Sequence, residues 1–162
     1  MLHFASFYEA LTLVARCGQK ALMVKLDIKH AFRLCPVRLE DRELLGIPWQ
    51  GKFYFDLRLP FGLRSSPYLF NRLADTFEWL LKCNYHIQDL LQYMYLDKYF
   101  TVGPADSSVC AHNVKTILHM DSQVGIPLAP NKLEGPTTRL VFLGIFIDSN
   151  CMETSLPDDK LH

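Results

Sequence analysis

The sequence predicts an α+β domain built around one sheet, on two observations. Runs with strand character alternate with long helical patterns, and the chain is long enough for a real core. With 162 residues and 49% hydrophobic content it can bury one sizeable core, so we expect a single domain over 1–162, its core spanning about 20–150.

Each element has its own signal. "SFYEALTLVARCG" (6–18) puts Phe7, Ala10, Leu11 and Val14 on one face and stops at Gly18, as an amphipathic helix does. "ALMVKLDI" (21–28) reads as a strand. Residues 35–62 mix short apolar runs with proline and a Gln50-Gly51 turn, predicting a hairpin whose second arm is "KFYFDLRL". "SSPYLFNRLADTFEWLLKC" (65–83) is the longest helical pattern, with Ser66 as N-cap, Pro67 at the first position and a stripe of Leu69, Phe70, Leu73, Phe77, Leu80 and Leu81.

"LLQYMYL" (90–96) and "YFTVG" (99–103) are strand-like and separated by Asp97 and Lys98, which predicts a tight hairpin. A second amphipathic helix covers 106–125, capped by Asp106 or Ser107 and stopped by Gly125 and Pro127. "TRLVFLGIFIDSN" (138–150) is the last strand. With the 35–62 hairpin set aside, the order is strand, helix, strand, strand, helix, strand, the βαββαβ or ferredoxin-like arrangement. There the first and third strands are antiparallel neighbours, so Asp27 and Asp97 are expected at one edge of the sheet.

Composition narrows the function classes. Seventeen basic and seventeen acidic residues balance, so no overall charge draws the chain onto nucleic acid and any such contact needs a local patch. Five dispersed cysteines form no C-x-x-C pair, and no apolar run reaches the roughly 20 residues of a membrane span. An intracellular chain, cytoplasmic or nuclear and without a membrane partner, is expected.

Two carboxylates converging at a sheet edge can hold a hard cation such as Mg²⁺, and a pair of such ions can stabilise both oxygens of an in-line phosphoryl displacement. The plainer alternative is that Asp27 caps the following "KHAF" turn while Asp97 supplies a left-handed turn residue.

The whole chain resembles the palm of a reverse transcriptase, most like those of DIRS-type retrotransposons. "VKLDIKHAFRL" resembles the first catalytic motif through Asp27, Ala31 and Phe32. "LPFGLRSSPYLFNRL" (59–73) resembles the second through Pro60, Phe61, Gly62, Ser66 and Pro67. "YLDK" (95–98) stands where the family carries Tyr-x-Asp-Asp, and "GIPLAPNKLEGPTTRLVFLGIFID" (125–148) resembles the later motifs. Four motifs in family order are a stronger signal than any one alone.

The resemblance implies roles. Asp27 and Asp97 become catalytic and metal ligands for Mg²⁺ or Mn²⁺, and Phe32 the ring that packs on the sugar of the incoming nucleotide. Phe61 and Gly62 lie beneath that nucleotide. Lys132 assists the leaving group, and Phe142, Leu143 and Gly144 begin a primer grip. The implied partners are an RNA or DNA template-primer and deoxynucleotides, with association through exposed palm surfaces also expected. Each residue has a structural alternative: a core ring for Phe32, a turn glycine for Gly62, a solvated loop lysine for Lys132, and a buried strand with a glycine bulge for 142–144.

Two departures bear on activity. Lys98 replaces the second aspartate of the hairpin pair, exchanging an attraction to a cation for a repulsion. A unit-charge interaction at 4 Å is worth about 4 kcal/mol at an effective dielectric near 20. The resemblance also covers the palm, with fingers and thumb expected to be truncated. The expected function is therefore a reverse-transcriptase-like palm with impaired two-metal DNA synthesis. The alternatives are a non-catalytic nucleic-acid-binding or interaction remnant using Arg33, Arg38, Arg58 and Arg64, and an RRM-like RNA-binding module, which lacks the expected aromatic strand.

Overall fold

The computed structural model describes residues 6–87, 90–93, 97–157 and 160. Helix α1 (Phe7–Cys17) opens with a capping box in which the Ser6 and Glu9 side chains accept from each other's backbone N–H, and ends at Gly18. Strand β1 (Leu22–Asp27) follows. Short 3-10 turns at Ala31–Leu34 and Leu39–Leu45 lead to the hairpin β2 (Gly46–Trp49) and β3 (Lys52–Phe55). The chain continues through α2 (Ser66–Asn84), β4 (Leu90–Tyr93), β5 (Lys98–Gly103) and α3 (Val109–Val124). After the 3-10 turn Pro130–Lys132 come β6 (Glu134–Thr137), β7 (Arg139–Phe142), β8 (Ile145–Asp148) and β9 (Glu153–Ser155).

The central sheet has the order β4-β5-β1-β6, and every neighbouring pair is antiparallel. β1 and β5 pair without a break from Leu22 opposite Gly103 to Asp27 opposite Lys98, so the expected pairing of first and third strands is present. Side chains alternate along β1. Val24, Leu26 and Ile28 enter a core with α2, α3, Phe70 and Tyr99, while Met23 joins Ala10, Leu13, Val14, Phe100 and Phe142 in a second core beneath α1. The sheet is thus buried on both faces near its centre. Gly103 admits α3 at close range, since a Cβ there would stand 2.6 Å from the Cys110 backbone nitrogen.

Several local expectations change. Ser66 is the first residue of α2, not its cap; its hydroxyl donates to the Pro60 carbonyl at 2.8 Å, and Ser65 occupies the cap position. Leu69 is exposed because the buried stripe runs through Phe70, Ala74 and Leu81. Helix α3 starts at Val109, because Asp106 is left-handed and Ser107 donates to the Pro104 carbonyl, which makes both of them turn residues. The second arm of the 46–55 hairpin ends at Phe55.

Lys98 is a strand residue rather than half of a two-residue turn. It pairs with Tyr93 on one side and Asp27 on the other, while Asp97 before it takes the left-handed conformation with φ 56°. Tyr95 and Leu96 of the expected motif lie outside the described residues. The single strand expected over 138–150 as the last of the central sheet is instead the hairpin of β7 and β8, because Leu143 and Gly144 have φ of 52° and 79° and turn the chain in two residues; with β9 it forms a separate three-stranded sheet, and β6 takes the place beside β1 in the central one.

Candidate functional site

The end of β1 is tied to two other segments by main-chain hydrogen bonds. The Ile28 N–H donates to the Asp97 carbonyl at 2.7 Å, the Ala129 N–H to the Asp27 carbonyl at 2.9 Å, and the Lys29 N–H to the Pro127 carbonyl at 2.7 Å. These bonds bring Asp27, Asp97 and the 3-10 turn bearing Lys132 to one place. Asp27, with only 5% of its surface exposed, is the buried member.

Two ammonium groups converge on one carboxylate oxygen. Lys98 Nζ stands 3.1 Å from Asp27 Oδ2 and 3.7 Å from Asp97 Oδ1, and Lys132 Nζ stands 3.3 Å from the same Asp27 Oδ2. Lys132 is therefore not a detached loop lysine. Two carboxylates and two ammoniums cancel in formal charge. Burial, and then the neighbouring Asp27 charge, push the Asp97 carboxyl up to about 6, against the opposing pull of Lys98 and Lys132.

A cleft of about 500 Å³ opens beside this cluster. It is lined by Asp27, Asp97 and Lys132, and on its apolar side by Phe32, Phe61 and Phe70. Phe32 sits between the other two rings, with centroids 5.2 Å from Phe61 and 5.6 Å from Phe70. It is at once a partly buried packing ring and a wall of the cleft. Phe61 is largely exposed, and Gly62 has φ 84° with nothing within 4 Å of where a Cβ would lie, so its glycine serves the turn.

Phe142, Leu143 and Gly144 do not line this cleft. Phe142 is buried in the core beneath α1, with its ring 4.5 Å from that of Phe100. Lys29, His30 and Asn131 do line it and carried no weight in the sequence reading. A signal was available, since Lys29 and His30 immediately follow Asp27-Ile28 and Asn131 precedes Lys132. Lys25 also lies nearby, in a second cleft shared with Lys98 and Lys132. It donates to the Val141 carbonyl at 2.8 Å and pairs with Glu134 at 2.6 Å.

The donor set does not fit a two-ion site. Asp27 and Asp97 supply the right oxygen chemistry for Mg²⁺. The position between them, however, is taken by the Lys98 ammonium, and among the described residues no group of three metal-binding side chains converges anywhere. Also among the described residues, no helix is long and apolar enough to cross a membrane.

Comparisons with known proteins point one way. The chain is 25% identical over 138 residues to Polyprotein P3 of Commelina yellow mottle virus, a match covering 82% of this chain and 7% of that polyprotein. A foamy viral protease-reverse transcriptase, solved in complex with an RNA/DNA hybrid, superposes with a TM-score of 0.76 at 21% identity, covering 97% of this chain and 20% of that one. The native prototype foamy virus enzyme gives 0.67 at 25% identity over 91% of this chain and 19% of that one. This chain thus spans a fifth or less of the length of these relatives. The family model described as reverse transcriptase (RNA-dependent DNA polymerase) matches residues 3–147, nine-tenths of the sequence, and the chain belongs to that family.

Proposed function

We propose that the chain is a ferredoxin-like polymerase palm whose metal-dependent nucleotide addition is blocked by Lys98. One observation carries this reading: the ammonium of Lys98 occupies the space between Asp27 and Asp97 that a divalent cation would need. In the family's chemistry a cation held by these carboxylates would activate the primer 3′-hydroxyl. Here Asp27 is instead neutralised by two lysines, and a cation must displace at least one of them.

The remaining roles follow from the cleft. Phe32 and Phe61 offer an apolar wall for a nucleotide's sugar and base, and Lys132 offers positive charge for its phosphates. Template-primer and deoxynucleotides are the proposed ancestral partners, and the intracellular setting is proposed from the sequence alone, whose five cysteines are odd in number and dispersed. Kinship with DIRS-type elements rests on the motif residues alone. A purely nucleic-acid-binding remnant is disfavoured by the arginines it would use. Arg33 pairs with Asp56, Arg38 with Glu40, and Arg58 donates to the Leu34 carbonyl at 3.2 Å, so three of these four exposed arginines are already engaged within the chain.

Primer extension on an RNA template with Mg²⁺ or Mn²⁺ tests the proposal. The chain as it stands is expected to add no nucleotide. Template-dependent extension that disappears in Asp27→Ala would overturn the blocked reading.

A further inference from the structure

One residue sets the sign of the charge around the ring-walled cleft. Lys29 and Lys132 line it, and Lys98, which lines the second cleft, pairs with both of its carboxylates. Three ammoniums thus stand against the carboxylates of Asp27 and Asp97, and the protein's own groups leave one net positive charge. A carboxylate at position 98 would leave one net negative charge instead. We propose that this cleft binds a nucleotide without a divalent cation, its polyphosphate on Lys29 and Lys132 and its base on the phenylalanine wall. The inference rests on the reading that Lys98 keeps the cation out, and adds a ligand that the blocked site still takes.

Charge decides whether a cation is needed. A polyphosphate brought to a site of net negative charge is repelled until metal ions neutralise both partners. Here the neutralising charge is covalently attached. Lys98 is fixed by β5 directly opposite Asp27, with its ammonium 3.1 Å from Asp27 Oδ2. Lys132 Nζ reaches the same oxygen at 3.3 Å, yet 59% of its side chain is exposed, and an ammonium has three N–H groups, so it can serve Asp27 and a phosphate together. Lys29 and His30 are exposed at the rim, and neither side chain has an ion-pair partner among the described residues. Lys25 adds nothing to this charge, because Glu134 holds it at 2.6 Å.

The opposite wall distinguishes a nucleotide from a bare polyphosphate. Phe61 is 76% exposed, and its ring packs on that of Phe32, so the cleft offers aromatic surface within the same space as the lysines. A volume of about 500 Å³ lies inside the range of small-molecule sites, roughly 300–1,000 Å³, which join an apolar lining to a few placed polar groups. Every base has a π-face that stacks on an aromatic ring, so such a wall selects nucleotides as a class rather than one base.

Equilibrium dialysis of the intact chain against radiolabelled deoxyadenosine triphosphate, in EDTA and in Mg²⁺, tests the site. Binding in EDTA is expected, with no tightening by Mg²⁺. Lys29→Glu should weaken it by about tenfold or more, whereas Lys52→Glu, outside the cleft, should not. Phe61→Ala should weaken deoxyadenosine triphosphate more than inorganic triphosphate used as competitor. Lys98→Asp should lose binding in EDTA and regain it in Mg²⁺, and circular dichroism of each variant checks that the fold is kept. Should Lys98→Asp not fold, the exposed positions Lys29 and Phe61 still decide the matter. Absence of binding in both buffers overturns the inference and leaves the blocked reading standing, while binding in Mg²⁺ alone overturns both. Equal losses in Lys29→Glu and Lys52→Glu would overturn it in favour of general surface charge. Inorganic triphosphate competing as well as the nucleotide, with Phe61→Ala without effect, would overturn it in favour of a bare polyphosphate.

Discussion

Lys98 Nζ lies 3.1 Å from Oδ2 of Asp27, its directly opposed neighbour across the β1 and β5 ladder, so the ion pair is written into the register of the sheet. Because Asp27 is nearly fully buried, its charge depends on its partners. Lys98→Met keeps most of the stem and removes the ammonium, leaving Lys132 as the remaining cation at 3.3 Å. A loss of about 1–3 kcal/mol is expected, read as a shift in the urea midpoint. An unchanged midpoint would show that the pair contributes nothing.

Lys98→Asp turns the cluster into three carboxylates and one lysine. Without a divalent ion this variant should be less stable than the parent. Millimolar Mn²⁺ should then raise its melting temperature while leaving the parent's unchanged, with saturation at 100 times Kd worth about 2.7 kcal/mol. A comparable Mn²⁺ shift in the parent would mean that Lys98 does not keep the cation out.

Asp121 is buried against Tyr99, whose hydroxyl donates to its Oδ1 at 3.3 Å, while its Oδ2 has no partner. Burial raises this carboxyl to about 7, only partly offset by the Tyr99 hydrogen bond. A raised acid binds its proton more readily folded than unfolded. Its contribution is therefore complete below pH 4 and is lost as pH rises through 7. The chain should lose about 2–3 kcal/mol between pH 5 and pH 8 from this group, and Asp121→Asn should flatten that decline in urea titrations.

Phe100 and Phe142 couple the central sheet to the β7 and β8 hairpin, with ring centroids 4.5 Å apart. Phe100→Ala should cost about 3–5 kcal/mol. A double-mutant cycle of Phe100→Leu and Phe142→Leu should return a coupling of about 0.5–1.5 kcal/mol. Simple additivity would mean that the two rings are neighbours without mutual stabilisation.

What could be read from the sequence follows from periodicity and topology. Alternation in "LMVKLD" and the stripe through Phe70 and Leu81 marked β1 and α2, and the element order alone predicted that β1 and β5 would pair. Features set by single dihedrals were less visible. Leu143 at positive φ split one expected strand into two, and left-handed Asp106 moved the start of α3. At the site, the meeting of Asp27 with Asp97 followed from strand order. The reach of Lys132 to Asp27 did not, because it depends on Ala129 and Lys29 bonding across to a segment 100 residues away in sequence. The orientation of Lys98 was ambiguous until its register opposite Asp27 was known.

The carbonyls of Asp27 and Asp97, rather than their carboxylates, anchor the three segments at the cleft. Any residue can make such bonds, so the skeleton of the site is indifferent to the side chains mounted on it. Form and chemistry can therefore drift apart in a chain of this kind. Its outline can stay recognisable long after substitutions have rewritten the charges it holds, and likeness of shape dates its descent better than it reports its trade.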